Sequence, residues 1–473
     1  MQRLFVAAVI LVALALPARA AAGGPTMLIG ATEDAVRQPT LVGVKAQLDL
    51  LRLAGFNALR VTQIWAPGKR KPDRDDLEIL RNIAQAAKLD GVTVMLAVTN
   101  FGNRTTPLTL EARDDFSTFV AALARALPDI RHFIIGNEPN LNRYWLPQFN
   151  PDGSDAAAPA YEALLAQAYD ALKTVSPKIN VLGGAISPRG GDDPTSPRQT
   201  HSPTAFITDM GEAYRASGRP RPIMDALAFH PYEDNSSVAP VDGRHPNSTT
   251  IALADYDKLV ALLGKAFDGT PQRGTTLPIY YTEFGVETQI PAAKADLYTG
   301  REPATIKPVP EDVQAQYYRQ AIELAFCQPT VRALSIFHTI DEPDLNRWQS
   351  GVFYVDHKPK ASMAVVRRAA AEARRGIVAQ CPGLRLRPRV TLLQATDTPR
   401  PMLTFRCDLD CDYMLTWRRG KTLVRRQGTA VGDADKRVAL GRLRTGRYVF
   451  RLAVAATVNR GPTRTVSTSL NIP

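Results

Sequence analysis

His132-Phe133-Ile134-Ile135-Gly136-Asn137-Glu138 is the stretch that decides the fold. Its apolar run breaks abruptly into Gly, Asn and Glu, with Pro139-Asn140 behind. A short apolar run without polar alternation fits a strand covered on both faces, as in a parallel sheet. Seven other stretches share this texture: residues 26–30, 57–62, 92–98, 179–184, 225–230, 278–283 and 333–338. Between them, 41–53, 77–87, 116–127, 161–175, 256–267 and 313–326 carry apolar residues at three-and-four spacing, the period of a helix with one buried face. Eight strands interleaved with helices over about 350 residues predict an α/β chain folded as a (β/α)8 TIM barrel. A doubly wound sheet would want a glycine-rich phosphate turn after the first strand, and Gly30-Ala31-Thr32-Glu33 is not one.

Beyond Arg385 the helical period disappears. Runs at 390–395, 401–408, 413–418, 446–455 and 464–470 are short and strand-like, separated by turn pairs such as Gly432-Asp433 and Gly461-Pro462. They predict a small C-terminal antiparallel β-sandwich over 385–473, joined by the Pro-containing piece 381–388 to a barrel over 25–380. Tyr413 and Trp417, four apart, fall on one face of such a strand. They would serve a tail that braces the barrel, or one that binds polysaccharide.

At the other end, Met1-Gln2-Arg3 precedes an apolar run from Phe5 to Leu16, and Pro17-Ala18-Arg19-Ala20 offers a small-residue cleavage pattern. Residues 1–20 read as a signal peptide, too short to span a bilayer, which takes about 20 apolar residues. The expectation is a secreted protein, extracellular or periplasmic, free of the membrane after cleavage. Four cysteines suit that compartment and suggest two disulfides, of three possible connectivities. Closeness in sequence favours Cys407 with Cys411, leaving Cys327 with Cys381.

The chain has 473 residues, 58 Lys and Arg against 46 Asp and Glu (net +12), and 45% hydrophobic residues. This is globular composition and excludes a disordered chain. The basicity comes without a long Lys/Arg block or a nucleic-acid motif, so it reads as a solvated surface with no nucleic-acid partner.

In a (β/α)8 barrel the chemistry sits where the strands end. Here the strand ends bring Arg60, Asn100, Asn137-Glu138, His230-Pro231-Tyr232, Thr282-Glu283 and His338 to one mouth. Strands four and seven lie across the barrel, so Glu138 and Glu283 face one another. Two facing carboxyl groups are the equipment of glycoside hydrolysis, one attacking the anomeric carbon and one protonating the leaving oxygen. Arg60 would keep Glu283 ionised, Asn137 would hold a substrate hydroxyl, and Tyr232 would orient Glu283. Trp65, Trp145 and Trp348 are either stacking platforms for sugar rings or core, with Trp348 the first choice of platform. His230 is either a sugar contact or a hydrogen-bonded core histidine. Glu33, Asp34, Asp341 and Glu342 read as solvated loop charges. With six histidines, no pair at zinc spacing and no His-x-His on strand one, no metal or other cofactor is expected. A Gly-x-Ser-x-Gly elbow is also absent from the sequence.

Gly136-Asn137-Glu138-Pro139-Asn140 and Thr282-Glu283-Phe284-Gly285 together resemble the clan A glycoside hydrolases, with families five and thirty-nine nearest. The resemblance covers about residues 25–375, including the segment from Trp348 to Ala361. It implies a retaining mechanism with Glu283 as nucleophile and Glu138 as acid/base. Arg60, Asn137, His230, Tyr232 and Trp348 would bind a carbohydrate substrate, β-linked by the same resemblance. The chain departs from the clan where Asn100 and Asn103 replace a common His, and where His338 replaces a common Trp. A transglycosylase would use the same two glutamates. A non-catalytic carbohydrate-binding barrel would be free to lose one, and both are present.

Overall fold

Eight parallel strands close on themselves in chain order, each hydrogen-bonded to the next and the eighth to the first. They are β1 (Leu28–Thr32), β2 (Ala58–Trp65), β3 (Thr93–Asn100), β4 (His132–Ile135), β5 (Asn180–Ile186), β6 (Ala226–Phe229), β7 (Ile279–Phe284) and β8 (Val331–Phe337). Eight helices pack outside: α1 (Leu41–Leu53), α2 (Arg74–Asp90), α3 (Leu110–Ala126), α4 (Ala157–Val175), α5 (Pro203–Ala216), α6 (Tyr256–Phe267), α7 (Glu311–Cys327) and α8 (Ala361–Arg374). This computed structural model describes residues 23–393, 401–419 and 421–472. The segment assigned to a signal peptide, 1–20, lies outside the described residues, as do positions 394–395 of the first tail run.

The alternation of strand side chains builds two cores. One face of each strand turns inward, where Ala58, Met95, Ala97, Ile134, Leu182, Ala226, Ala228 and Ala333 fill the barrel. The other face, with Leu59, Val61, Leu96, Phe133, Val181 and Leu334, meets the helices. The helices supply matching stripes: α1 buries Val44, Leu48 and Leu51 and is capped by Thr40, whose side chain accepts from Gly43 N.

Two helices were not read from the sequence. α5 starts at a Ser202 cap followed by Pro203, but its buried Phe206, Ile207, Met210 and Tyr214 are diluted by polar neighbours. α8 buries mainly alanines, with Val366, so its stripe carries little hydrophobic contrast.

Seven antiparallel strands follow, in two sheets. β9 (Val390–Leu393), β10 (Met402–Cys407) and β13 (Asp435–Ala439) form one, ordered β13-β10-β9. β11 (Cys411–Arg419), β12 (Thr422–Ala430), β14 (Gly446–Ala456) and β15 (Arg464–Ile472) form the other, ordered β12-β11-β14-β15. Leu403 and Phe405 from the first pack with Leu415, Phe450 and Leu452 from the second in one core. Tyr413 and Trp417 lie in that core, 9% and 3% exposed, so neither is a surface platform. β12 and β13 escaped the sequence reading because β12 is exposed along nearly its whole length and shows no alternation.

The tail joins the end of the barrel remote from the mouth. Leu386, Leu409 and Ala456 enter the barrel's outer core, Arg375 pairs with Asp410 at 2.8 Å, and Asn459 Oδ1 accepts from Cys381 N at 2.7 Å. The disulfides are Cys327–Cys381 and Cys407–Cys411. The first ties the end of α7 to the connector.

Candidate active site

Arg60 lies inside the barrel on β2, 2% exposed. Its Nη1 pairs with Glu283 Oε1, and its Nη2 donates to Asn137 Oδ1 at 2.7 Å. One guanidinium thus ties β2 to the ends of β4 and β7. A strictly alternating β7 would turn Glu283 outward with Tyr281, which packs among the helices. The register of β7 against β8 shifts between Tyr281 and Phe284, and the irregularity turns Glu283 toward the mouth. After β4 the chain enters the left-handed region at Gly136 (φ 82) and again at Glu138 (φ 42). A Cβ at Gly136 would press on the Tyr161 ring at 3.1 Å, so glycine permits the turn that presents Asn137 and Glu138.

His230, wholly buried, stands between the two carboxylates. Its Nδ1 is 3.0 Å from Glu138 Oε1 and 3.5 Å from Glu283 Oε2. With a proton on Nδ1 it can donate to either carboxylate. Tyr232 donates its hydroxyl to Glu283 Oε2 at 3.0 Å. Burial, and then the negative charges of Glu283 and Glu138, push the Tyr232 phenol well above its ordinary range, so it remains a donor. Burial alone would push the Glu283 carboxyl up. The positive charge of His230 when protonated and that of Arg60, with the hydrogen bonds from Tyr232 and Arg60, outweigh it and hold Glu283 below the usual carboxylate value.

Glu138, His230 and Glu283 each place one atom within 4.8 Å of the others, the one group of three such side chains among the described residues with metal-ligand spacing. Both Glu283 oxygens are already taken, one by Arg60 and one by Tyr232. A cation there would sit beside the guanidinium.

The mouth opens on a cavity of about 370 Å³ lined by Glu138, Glu283, Tyr144, Arg189, Tyr232 and Trp348 among others. Trp348 stacks at 33° on Tyr232 with ring centroids 5.0 Å apart, and Phe337 meets it edge-on at 5.2 Å. Trp65 and Trp145, 0% and 1% exposed, are core and not platforms. His338 turns to β1, its Nδ1 2.8 Å from Thr32 O. Asn100 and Asn103 donate to the carbonyls of Tyr144 and Asn142, at 2.9 and 2.6 Å, and fasten the loop that carries Tyr144.

Two loop acids expected in solvent are buried. Glu33 accepts from the backbone of Ala35, Thr339 and Ile340, which ties the end of β8 to the end of β1. Asp341 pairs with Lys360 at 2.8 Å, both side chains fully covered. Tyr298 also donates to Asp341, and Gly351 N does the same from the segment after Trp348. Burial makes an unpaired charge there prohibitive, so the two ions and their hydrogen bonds lock that segment under the cavity.

Tyr144 and Arg189 were missed. Arg189 follows β5, whose end was not read as contributing to the mouth, and its Nη2 donates to Tyr232 O and Glu233 O. Tyr144 lies six residues past Glu138, within the same loop. Burial, then the nearby Glu138 charge, pushes its hydroxyl up to about 12.

No protein-family model matches this sequence, and comparison with curated proteins returns no relative. Comparison of structures returns clear likenesses. A family 39 glycoside hydrolase from the gut symbiont Bacteroides cellulosilyticus WH2 superposes with a TM-score of 0.53 at 16% identity, over 95% of this chain and 79% of that one. GH5_18 from Streptomyces cattleya, in complex with GlcNAc, gives 0.51 at 17% identity, over 77% of this chain and 84% of that one. The likeness to these two glycoside hydrolases is one of fold, here a closed eight-stranded parallel barrel followed by antiparallel β-sheets.

Proposed function

We propose that this chain is an exported retaining glycoside hydrolase that cleaves O-glycosidic bonds, β-linked by analogy with the clan, of an oligo- or polysaccharide. The observation that carries the reading is the approach of Glu138 and Glu283, which bring carboxylate oxygens within 4.8 Å of each other. Retaining enzymes hold their carboxyl groups about 5–5.5 Å apart, whereas inverting ones leave roughly 6.5–9.5 Å for a water. Glu283, kept ionised by Arg60 and Tyr232, attacks the anomeric carbon. Glu138 gives its proton to the departing oxygen as the glycosidic bond breaks. Water then attacks the anomeric carbon of the glycosyl–Glu283 ester, gives a proton to Glu138, and frees Glu283. Asn137 holds a sugar hydroxyl in this reading, and Trp348 takes the apolar face of a ring. His230 is covered and acts through the carboxylates it touches. No metal or cofactor enters these steps. The two disulfides support export, since such bonds persist in oxidising compartments.

The test is hydrolysis of a panel of aryl glycosides and polysaccharides by the wild type beside Glu283→Gln. Turnover lost in a folded Glu283→Gln protein supports the reading, and retained turnover overturns it.

A further inference from the structure

The positive charge of this chain is concentrated at one end. Residues 385–473 hold 18 Lys and Arg against 6 Asp and Glu, an excess of +12, while residues 1–384 hold 40 of each. The whole net charge of the molecule thus belongs to the β tail, and 16 of those 18 residues are arginines.

The sheet β12-β11-β14-β15 has one face in the tail core and one in solvent. The register places Arg418 on β11, Arg425 on β12, and Arg447 and Arg451 on β14 on the solvent face, with Thr416 directly between Arg425 and Arg451. All four arginines are exposed, and none forms an ion pair with another described residue. On this face the one acid is Asp412, which Arg460 takes. Exposed apolar side chains lie among the arginines: Met414 (43%), Leu423 (45%) and Val449 (60%). At one end of the face a hollow of about 410 Å³ is lined by Met414, Gln427, Thr429, Ala453 and Arg460.

We propose that this face is a docking surface for an acidic, carboxylate-bearing polysaccharide. Arginine forks match carboxylates in two-point geometry, and with strands about 4.8 Å apart the register sets Arg425 and Arg451 two strands apart, Arg418 two residues along β11 from the Thr416 between them, and Arg447 four residues from Arg451 on β14. The apolar side chains between them offer contact to sugar rings, and the hydroxyls of Thr465, Ser467 and Ser469 extend the face on β15. Like charges with no acids between them repel, so the arrangement does nothing for the fold. A polyanion laid across it relieves that repulsion. The choice of a polysaccharide over other polyanions rests on the glycosidase reading of the barrel.

The experiment is affinity electrophoresis of the full chain through polygalacturonate, with an uncharged glucan as reference, at low and physiological salt. Binding is read without turnover, so it stays interpretable whatever the barrel catalyses. Retardation by polygalacturonate alone is expected, weakening with salt. The variant Arg418→Gln/Arg425→Gln/Arg447→Gln/Arg451→Gln should bind roughly tenfold or more weakly, from four exposed contacts of modest individual strength. A control with the same charge change elsewhere in the tail, Arg385→Gln/Arg387→Gln/Arg437→Gln/Arg442→Gln, should bind nearly as the wild type does. Equal loss in both variants, or in neither, overturns the assignment to this face. Equal retention by duplex DNA or by anionic vesicles overturns the assignment of the partner. The milder Arg425→Gln/Arg451→Gln pair repeats the test with half the change.

Discussion

Tyr232 and Glu283 are joined by a hydrogen bond of 3.0 Å from the phenol to Oε2, across 51 residues of sequence and between the ends of two neighbouring strands. With Arg60 on Oε1, it leaves Glu283 with both oxygens held and its charge stabilised. These two donors orient the carboxylate, and together with the charge of a protonated His230 they favour its ionised form.

Tyr232→Phe should therefore lower kcat/KM by roughly tenfold or more, the worth of a hydrogen bond to a charged group. It should also move the acid limb of the pH–rate profile. The bond favours the ionised form of Glu283, so its loss raises that carboxyl, and activity should fall at a higher pH than in the wild type. A drop in rate with an unmoved acid limb would count against the electrostatic role.

Glu138→Gln should separate substrates by leaving group. General acid catalysis contributes roughly 10²–10⁴ in rate where the leaving oxygen needs a proton. Bond cleavage in unactivated glycosides should fall by that much, and far less for an aryl glycoside with an acidic phenol. Single-turnover rates on the two substrate types check this; equal losses on both would reject Glu138 as the proton donor.

Stability should fall as pH rises through neutrality, in part because of Glu287. Burial pushes its carboxyl from 4.5 up to about 8. The folded chain keeps a proton that the unfolded chain gives up, so raising the pH favours unfolding between those values, by up to about 1.4 kcal/mol per pH unit. Glu287→Gln removes this titration and should flatten urea-unfolding stability between pH 5 and pH 8. Parallel pH dependence in wild type and variant would refute it.

The two disulfides should differ in worth. Cys327–Cys381 closes a separation of 54 residues and Cys407–Cys411 one of 4. Constraint of the unfolded chain grows with loop length, so the Cys327→Ser/Cys381→Ser protein should lose about 2–4 kcal/mol and the Cys407→Ser/Cys411→Ser protein less. Thermal unfolding of the two variants would show the order, and the reverse order would contradict it.

Much of this molecule is legible in one dimension. Barrel strands and helices betray themselves through period, because the barrel strands are covered on both faces and most helices have a strong apolar stripe. Where the contrast is weak, in alanine-rich α8 or exposed β12, periodicity has nothing to detect. Arg60, Asn137, Glu138, His230, Tyr232 and Glu283 stand out as polar residues ending apolar runs. Glu33 and Asp341 do not announce their burial, because a buried acid is recognised by its partners. Those partners, Thr339 and Lys360 among them, lie elsewhere in the chain.

By itself, then, the sequence determined the eightfold alternation, the separate β tail and the set of polar residues at the mouth. These follow from local period and from where apolar runs stop. Only the tertiary structure decided that Glu283 is turned inward by an irregularity in β7, and that Arg60 and Tyr232 hold its two oxygens. It alone placed His230 between the carboxylates and laid four arginines on one sheet face. The site contacts depend on barrel closure, which joins Arg60 to Glu283 across 223 positions, and the arginine face depends on strand register in the tail sheet, geometry that no local pattern encodes.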